Sequence, residues 1–389
     1  MIKIACIFLQ KQGNAPIFPL SREGTGMEHY PQLIVDSAAI QQNAAAVAAL
    51  CAQHGVRLCG VIKGAGGDPR AASAMWEGGC TQLASSRLDQ LRAVREVLPQ
   101  AETLLIRMPQ LWEAPQVVRL CDASVNTEAR TLLELSAAAG DAGVTHGVIL
   151  MYEVGDLREG AAGLPQLLEL AALSERLPHL HLLGVGCTLG DICAVVPDRD
   201  NLGELCRAAR AVEEVIGRPL EVVSGGSTTT LPLLLRGELP GGINHLRVGE
   251  AILTGRDLAL FWGGAIPGTR EDTLTLRAQV IESNVKPDRP WGVLGPNGFG
   301  ETVVRPAGES HLRRRAILAL GRQDVGDASQ LLPLDPGVRV IAASSDHLIV
   351  DTEDCEAPVA VGDILSFRMQ YQGMLYAFLS RDVEKIWLP

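Results

Sequence analysis

From Leu33 to Gly255 the chain alternates short apolar runs with alanine- and leucine-rich stretches, and this alternation restricts the folds open to it. Candidate strands lie at 58–63, 82–86, 103–107, 123–126, 147–153, 182–187, 220–224 and 245–248. Helical stretches such as Ala38–Ala52, Arg87–Leu98, Glu128–Ala142, Pro165–Arg176 and Asn201–Ile216 fill the gaps. Eight strands with seven crossovers in about 200 residues predict a (β/α)8 barrel; the alternative is an eight-stranded doubly wound sheet. After Gly255 helical periodicity weakens and glycine, proline, valine and threonine become frequent. Alternating runs at 274–283, 316–320, 338–343, 347–350, 364–369 and 374–379 predict a C-terminal all-β domain. The expected domains are therefore 27–262 and 263–389, with Pro267–Asp272 as a plausible linker.

Composition narrows the function. A chain of 389 residues, 47% hydrophobic and 20% charged, can bury a large core. Its net charge is −11 and no Lys/Arg-rich run interleaves with aromatics, which argues against nucleic acid. The nine cysteines are scattered, odd in number and without a CxxC pair, as expected in a reducing cytoplasm. No His/Cys cluster has zinc spacing, and no apolar run reaches the roughly 20 residues of a membrane helix. Residues 1–26 resemble neither the rest of the chain nor a signal peptide; they read as a tag or an upstream start, with Met27 as the natural beginning.

Three segments carry candidate chemistry. Lys63 follows Val61 and Ile62 into a loop containing Gly64, Gly66 and Gly67. A lysine closing a buried strand can lose its proton by desolvation and attack carbonyls; otherwise it snorkels to water. After the seventh strand candidate, Ser224-Gly-Gly-Ser-Thr228 reads as a glycine turn entering a helix, where backbone N–H groups and Ser227 form an anion cradle. After the eighth comes Arg247-Val-Gly-Glu250. Phosphate in such barrels is often held by the loops after strands seven and eight. A lysine and a two-part phosphate cup in one barrel mouth point to a phosphorylated aldehyde cofactor, pyridoxal 5′-phosphate.

The chain resembles the fold-type III pyridoxal-phosphate enzymes, in particular their alanine/ornithine racemase branch. The likeness rests on Val61-Ile-Lys-Gly-Ala-Gly-Gly-Asp-Pro69, Ser224–Thr228, Gly242–Gly255 and Ala319–Val325. It implies an amino-acid racemase acting as a homodimer with shared active sites. Lys63 resembles the Schiff-base lysine, and Arg247 the arginine facing the pyridine nitrogen. Ser227, Gly249 and Glu250 fall on the phosphate cup. Tyr371 matches a tyrosine that reaches the phosphate, Arg158 an arginine at the phenolate oxygen, and Thr188 a position stacked on the ring. Arg247 is chemically telling: a guanidinium only donates, so it disfavours protonation of the ring nitrogen and favours reprotonation at Cα. The other reading of Arg247 is a core-edge pair with Glu250 or Asp257.

The sequence also departs from the alanine racemase pattern. Gly67 replaces a tyrosine, Met151 stands where a modified lysine is found, and Trp291–Glu301 lacks the tyrosine that acts as opposite-face base. Racemisation needs proton transfer on both faces of Cα. Tyr376, His347, His311, Asp324 and Cys187 are the candidates for the face opposite Lys63. Loss of the ring at 67 is expected to enlarge the pocket and admit a basic substrate, ornithine or lysine, with arginine as a further candidate. Asp68, Glu153, Glu301 and Asp324 are possible partners for its side chain. The rival functions are alanine or broad-spectrum amino-acid racemisation, a D-hydroxy-amino-acid aldolase or dehydratase, and a non-enzymatic cofactor carrier.

Overall fold

The computed structural model describes residues 28–302 and 308–388, so the segment 1–26 lies outside the described residues. A short strand β1 (Gln32–Asp36) precedes eight parallel strands. These are β2 (Arg57–Val61), β3 (Gln82–Ser85), β4 (Glu102–Leu105), β5 (Ala123–Asn126), β6 (His146–Met151), β7 (Leu180–Gly186), β8 (Val222–Ser224) and β9 (His245–Val248). They pair in chain order, and β9 closes on β2, giving the expected barrel and not an open sheet. Alternate residues point inward: Cys59, Val61, Ala84, Leu104, Val125, Ile149 and Met151 fill the centre. Their neighbours, such as Val148, Leu150 and Val185, face the outer helices, where Leu132 and Leu135 are fully buried. Each such leucine contributes about 1.5–3 kcal/mol of burial. The filled centre leaves space only at the rim.

Local signals set the helix ends. Asp36 caps the helix Ser37–Gln53 by accepting from Ala39 N at 2.8 Å. The helix Ala129–Ala142 stops at Gly143, whose φ of 66° is left-handed.

The second layer is a largely antiparallel sheet of β10 (Leu274–Pro287), β11 (Leu312–Ala319), β12 (Leu331–Pro333), β13 (Arg339–Ala343), β14 (His347–Asp351), β15 (Ile364–Met369) and β16 (Glu384–Leu388), joined by β1. β1 pairs antiparallel with β10 and parallel with β16. Residues 32–36 thus belong to this sheet, although they lie in the segment 27–262 assigned to the barrel from sequence.

A second correction concerns Met374–Leu379, expected as a strand. It forms the helix Tyr371–Leu379, because Met374, Ala377 and Phe378 are buried at i, i+3, i+4 spacing. This helix packs on the turn Ile62–Ala65. Contact is close: a Cβ on Gly64 would lie 2.9 Å from Met374 Cε and 3.0 Å from Leu253 Cδ1. The second domain is thereby seated against the barrel mouth. No helix among the described residues is long and apolar enough to cross a membrane.

Candidate functional site

A cavity of about 620 Å³ opens at the C-terminal ends of the barrel strands. That volume suits a cofactor together with a small substrate. All eight site residues expected from sequence border it: Lys63, Arg158, Thr188, Ser227, Arg247, Gly249, Glu250 and Tyr371.

Lys63 does not end a strand. β2 stops at Val61, and Lys63 lies in the 3-10 turn Ile62–Ala65, closed by Gly66 at φ 62°. Its amine has no hydrogen bond or ion pair among the described residues. Burial lowers its pKa; Asp191 acts in the opposite direction, while Arg158 and Arg247 add to the lowering. The shift is toward the neutral, nucleophilic amine.

The cup forms where two short helices begin. Thr228 and Glu250 open the turns Thr228–Thr230 and Glu250–Thr254, so their N–H groups have no intrahelical acceptor. Thr228 Oγ1 ties the two turns together by accepting from Ala251 N at 3.3 Å. Gly249 permits the close crossing with β2: a Cβ there would be 2.8 Å from the Val61 carbonyl oxygen. Tyr371 reaches the same cavity from the second domain. Burial pushes its hydroxyl up to about 12, with Glu250 and Asp191 adding to the rise, so it remains a donor.

Arg247 is 6% exposed and forms no ion pair among the described residues. It does not pair with Glu250 or Asp257. Its guanidinium donates to Ser224 Oγ, to the Cys187 carbonyl at 2.9 Å and to Thr188 Oγ1 at 3.4 Å. Ser224 in turn lies 2.8 Å from His245 Nδ1, and His245 Nε2 is 3.1 Å from Gln82 Oε1. Burial, with Arg247 next in effect, lowers the His245 pKa to about 3, so the ring is neutral. Arg247 can only donate, so Ser224 accepts from it and donates to Nδ1, leaving the proton on Nε2 for Gln82. Sequence reading misses Ser224, His245 and Gln82 in this role. They share the inward face of β8, β9 and β3 with Val222, Arg247 and Ala84, and only closure of the barrel brings them together.

Arg158 and Thr188 belong to a clasp between the loops after β6 and β7. Arg158 donates to Glu159 and Asp191, and to Thr188 Oγ1 at 3.1 Å. Thr188 donates to Glu159 Oε1 at 2.8 Å. Fully buried Asp156 accepts from the N–H groups of Asp191, Ile192 and Val195 at 3.2, 2.9 and 3.2 Å. The only two non-glycine residues with positive φ among those described, Leu157 and Ala194, fall in these two loops.

One sequence expectation is overturned, and two find no support in the cavity of this chain. Gly67 does not border the cavity: a Cβ there would meet Gln90 Cβ at 2.4 Å, so it is a packing glycine in a turn with φ +77° and not an enlargement of the pocket. None of Asp68, Glu153, Glu301 and Asp324 borders the cavity. Asp68 caps a helix and pairs with Arg70, Glu153 accepts from Gly155 N, Glu301 pairs with Arg322, and Asp324 accepts from Ser380. The acids that do line it are Glu159, Asp191 and Glu250. Finally, Tyr376, His347, His311, Asp324 and Cys187 are all absent from its wall. Tyr376, His347 and His311 are exposed, and Cys187 is buried with its thiol pushed up to about 12.

The donor set fits pyridoxal 5′-phosphate on the chain's own chemistry. It offers an unpartnered amine for an aldehyde, N–H and hydroxyl donors for a phosphate, and a buried guanidinium without a carboxylate for a ring nitrogen. The alanine racemase N-terminal domain model matches residues 35–257. The chain is 36% identical over 356 residues to the ornithine racemase of Acetoanaerobium sticklandii, covering 92% of this chain and 99% of that protein. It is 33% identical over 360 residues to the lysine racemase of Thermotoga maritima, covering 92% and 99% respectively. The fold matches the alanine racemase of Streptomyces lavendulae with a TM-score of 0.70 at 18% identity, over 94% of this chain and 98% of that one. With the barrel, the appended sheet and full-length relatives in agreement, the chain belongs to the alanine racemase family.

Proposed function

We propose that the protein is a pyridoxal-phosphate-dependent racemase of basic amino acids, ornithine or lysine. The observation that carries this reading is the union of Lys63, the two-part cup and Arg247 in one cavity, in a chain whose full-length relatives are named ornithine and lysine racemases.

The cofactor, when bound, supplies an electron sink that acidifies the substrate Cα–H. Ser227, Gly249, Glu250 by its backbone, and the Tyr371 hydroxyl are the groups that would hold the phosphate. Thr188 would lie against the ring, and Arg158 would donate to its phenolate oxygen. Lys63 Nζ holds or returns the Cα proton on one face, and burial lowers its pKa, a shift toward the proton-accepting amine. Arg247 cannot release a proton, so a ring nitrogen facing it stays unprotonated. The Ser224–His245–Gln82 chain orients that guanidinium.

A homodimer with shared sites fits the exposed apolar segment carrying Trp291, Val293 and Phe299. A reducing compartment, the cytoplasm, fits the eight described cysteines, all of them free thiols.

Cofactor-loaded protein should abolish the optical rotation of L-ornithine or L-lysine faster than that of L-alanine. Lys63→Ala should lose both the visible absorption of the lysine-linked cofactor and the racemisation. Retained rotation with all three substrates would refute the racemase reading. Release of glycine from D-threonine or pyruvate from D-serine would favour an aldolase or a dehydratase, and cofactor binding without α-proton exchange in heavy water a carrier.

A further inference from the structure

The three acids on the cavity wall are not equivalent. Glu159 is saturated: Arg158 Nη2 meets one oxygen at 2.6 Å, Arg158 Nε meets the other, and Thr188 donates as well. Its side chain is only 7% exposed. Glu250 stands at the cup, beside Tyr371. Burial, with Asp257 adding to it, pushes its carboxyl up to about 8, which leaves it largely uncharged at neutral pH. Asp191 differs from both. Only its Oδ2 is engaged, by Arg158 Nη1, and its Oδ1 meets no donor among the described residues. The side chain is 43% exposed on the cavity wall.

We propose that Asp191 is the specificity residue that receives the distal ammonium of a basic substrate, through Oδ1. The assignment rests on the basic-amino-acid reading of this cavity. Arg158, Glu159 and Asp191 together leave a net negative charge, which a substrate ammonium neutralises. The other arginine on this part of the wall does not oppose it. Arg107 is turned to Glu113, at 2.8 and 2.9 Å, and to the Ser86 carbonyl at 3.1 Å. Asp191 is also held in place. Asp156 binds its backbone N–H and those of Ile192 and Val195, so the carboxylate is presented by a fixed loop. An ammonium leaving water needs an ionised acceptor, and a preplaced carboxylate is the strong form of that contact.

The experiment compares kcat/KM for L-ornithine and L-lysine with that for their amine-free isosteres, L-norvaline and L-norleucine. An isostere turned over too slowly to follow is read as a competitive inhibitor of lysine racemisation. Loss of a hydrogen bond to a charged group should lower the basic-to-neutral preference of Asp191→Asn by about 10- to 100-fold, chiefly through KM for the basic substrates. Asp191→Glu, which keeps the charge, should retain part of the preference. A residue acting only by holding Arg158 would weaken basic and neutral substrates alike. An unchanged ratio in Asp191→Asn therefore overturns the proposal. Should that variant fail to fold, the ratio in Asp191→Ser decides in the same way. Wild-type protein that racemises none of the four would instead refute the underlying functional reading.

Discussion

Asp156→Asn tests whether the two rim loops act as one unit. The wild-type carboxylate uses both oxygens: Oδ1 accepts from Asp191 and Val195, and Oδ2 accepts from Ile192 at 2.9 Å. Asparagine has one acceptor oxygen. Its best orientation keeps the pair on Oδ1 and turns an NH2 donor against the Ile192 N–H. One charge-assisted hydrogen bond is lost and two donors confront each other at a fully buried site. The cost is about 3 kcal/mol, or roughly 150-fold in an opening equilibrium. The loops should yield before the barrel does, because their opening exposes little core. Hydrogen exchange of the cofactor-free protein, measured by mass spectrometry, should therefore show faster exchange across 188–198 in the variant. The helix Ser37–Gln53, which packs on β2 across the barrel from β6, should exchange unchanged. Racemisation should fall with the loss of Arg158 and Asp191 from their places. Unchanged exchange at 188–198, or equal acceleration in both segments, would refute the clasp.

Glu250→Gln should remove a pH dependence of stability from the cofactor-free protein. The carboxyl moves from 4.5 to about 8 on folding, so its stabilisation is complete below 4.5 and lost as pH rises towards 8. The stability of wild type relative to the variant should fall by about 1.4 kcal/mol per pH unit across that window in urea titrations; a flat difference would contradict it. His245 has the opposite sign: its pKa falls from 6.5 to about 3, so stability is lost as pH drops below 6.5, and a neutral substitute that keeps the fold should lose this acid sensitivity. Tyr371→Phe should weaken pyridoxal 5′-phosphate about tenfold or more in fluorescence titrations while leaving unphosphorylated pyridoxal unaffected, since only the phosphate loses a donor. Gly184→Ala would place a Cβ 1.7 Å from the Val222 carbonyl oxygen, so urea denaturation should show a loss of about 3 kcal/mol, or the protein should fail to fold.

The features legible in the sequence are those with local causes. A strand in a closed parallel barrel is buried on both faces, so its apolar run declares itself, as at Val61, Leu104 and Ile149. Lys63, Ser227, Arg247 and Gly249 are legible because each ends or follows such a run, where barrel loops must carry chemistry. The helix at Tyr371 reads as a strand because Met374, Tyr376 and Phe378 also alternate in period two, and a nine-residue run satisfies both periods. β1 and β16 escape a local reading because they pair with each other more than three hundred residues apart, and β1 pairs with β10 on its other edge.

What sequence alone determined, then, is the barrel, its order of strands and the positions from which a lysine, a cup and an arginine could meet. Tertiary structure decided which polar groups are spent and which remain free. Nothing local separates Asp191, which pairs with Arg158, from Glu301, which pairs with Arg322, because a carboxylate's role depends on the donors that surround it. The same holds for Gly67, whose neighbour is Gln90 and not the substrate space. Hydrogen-bond partners come from loops of different strands, and only folding makes them neighbours.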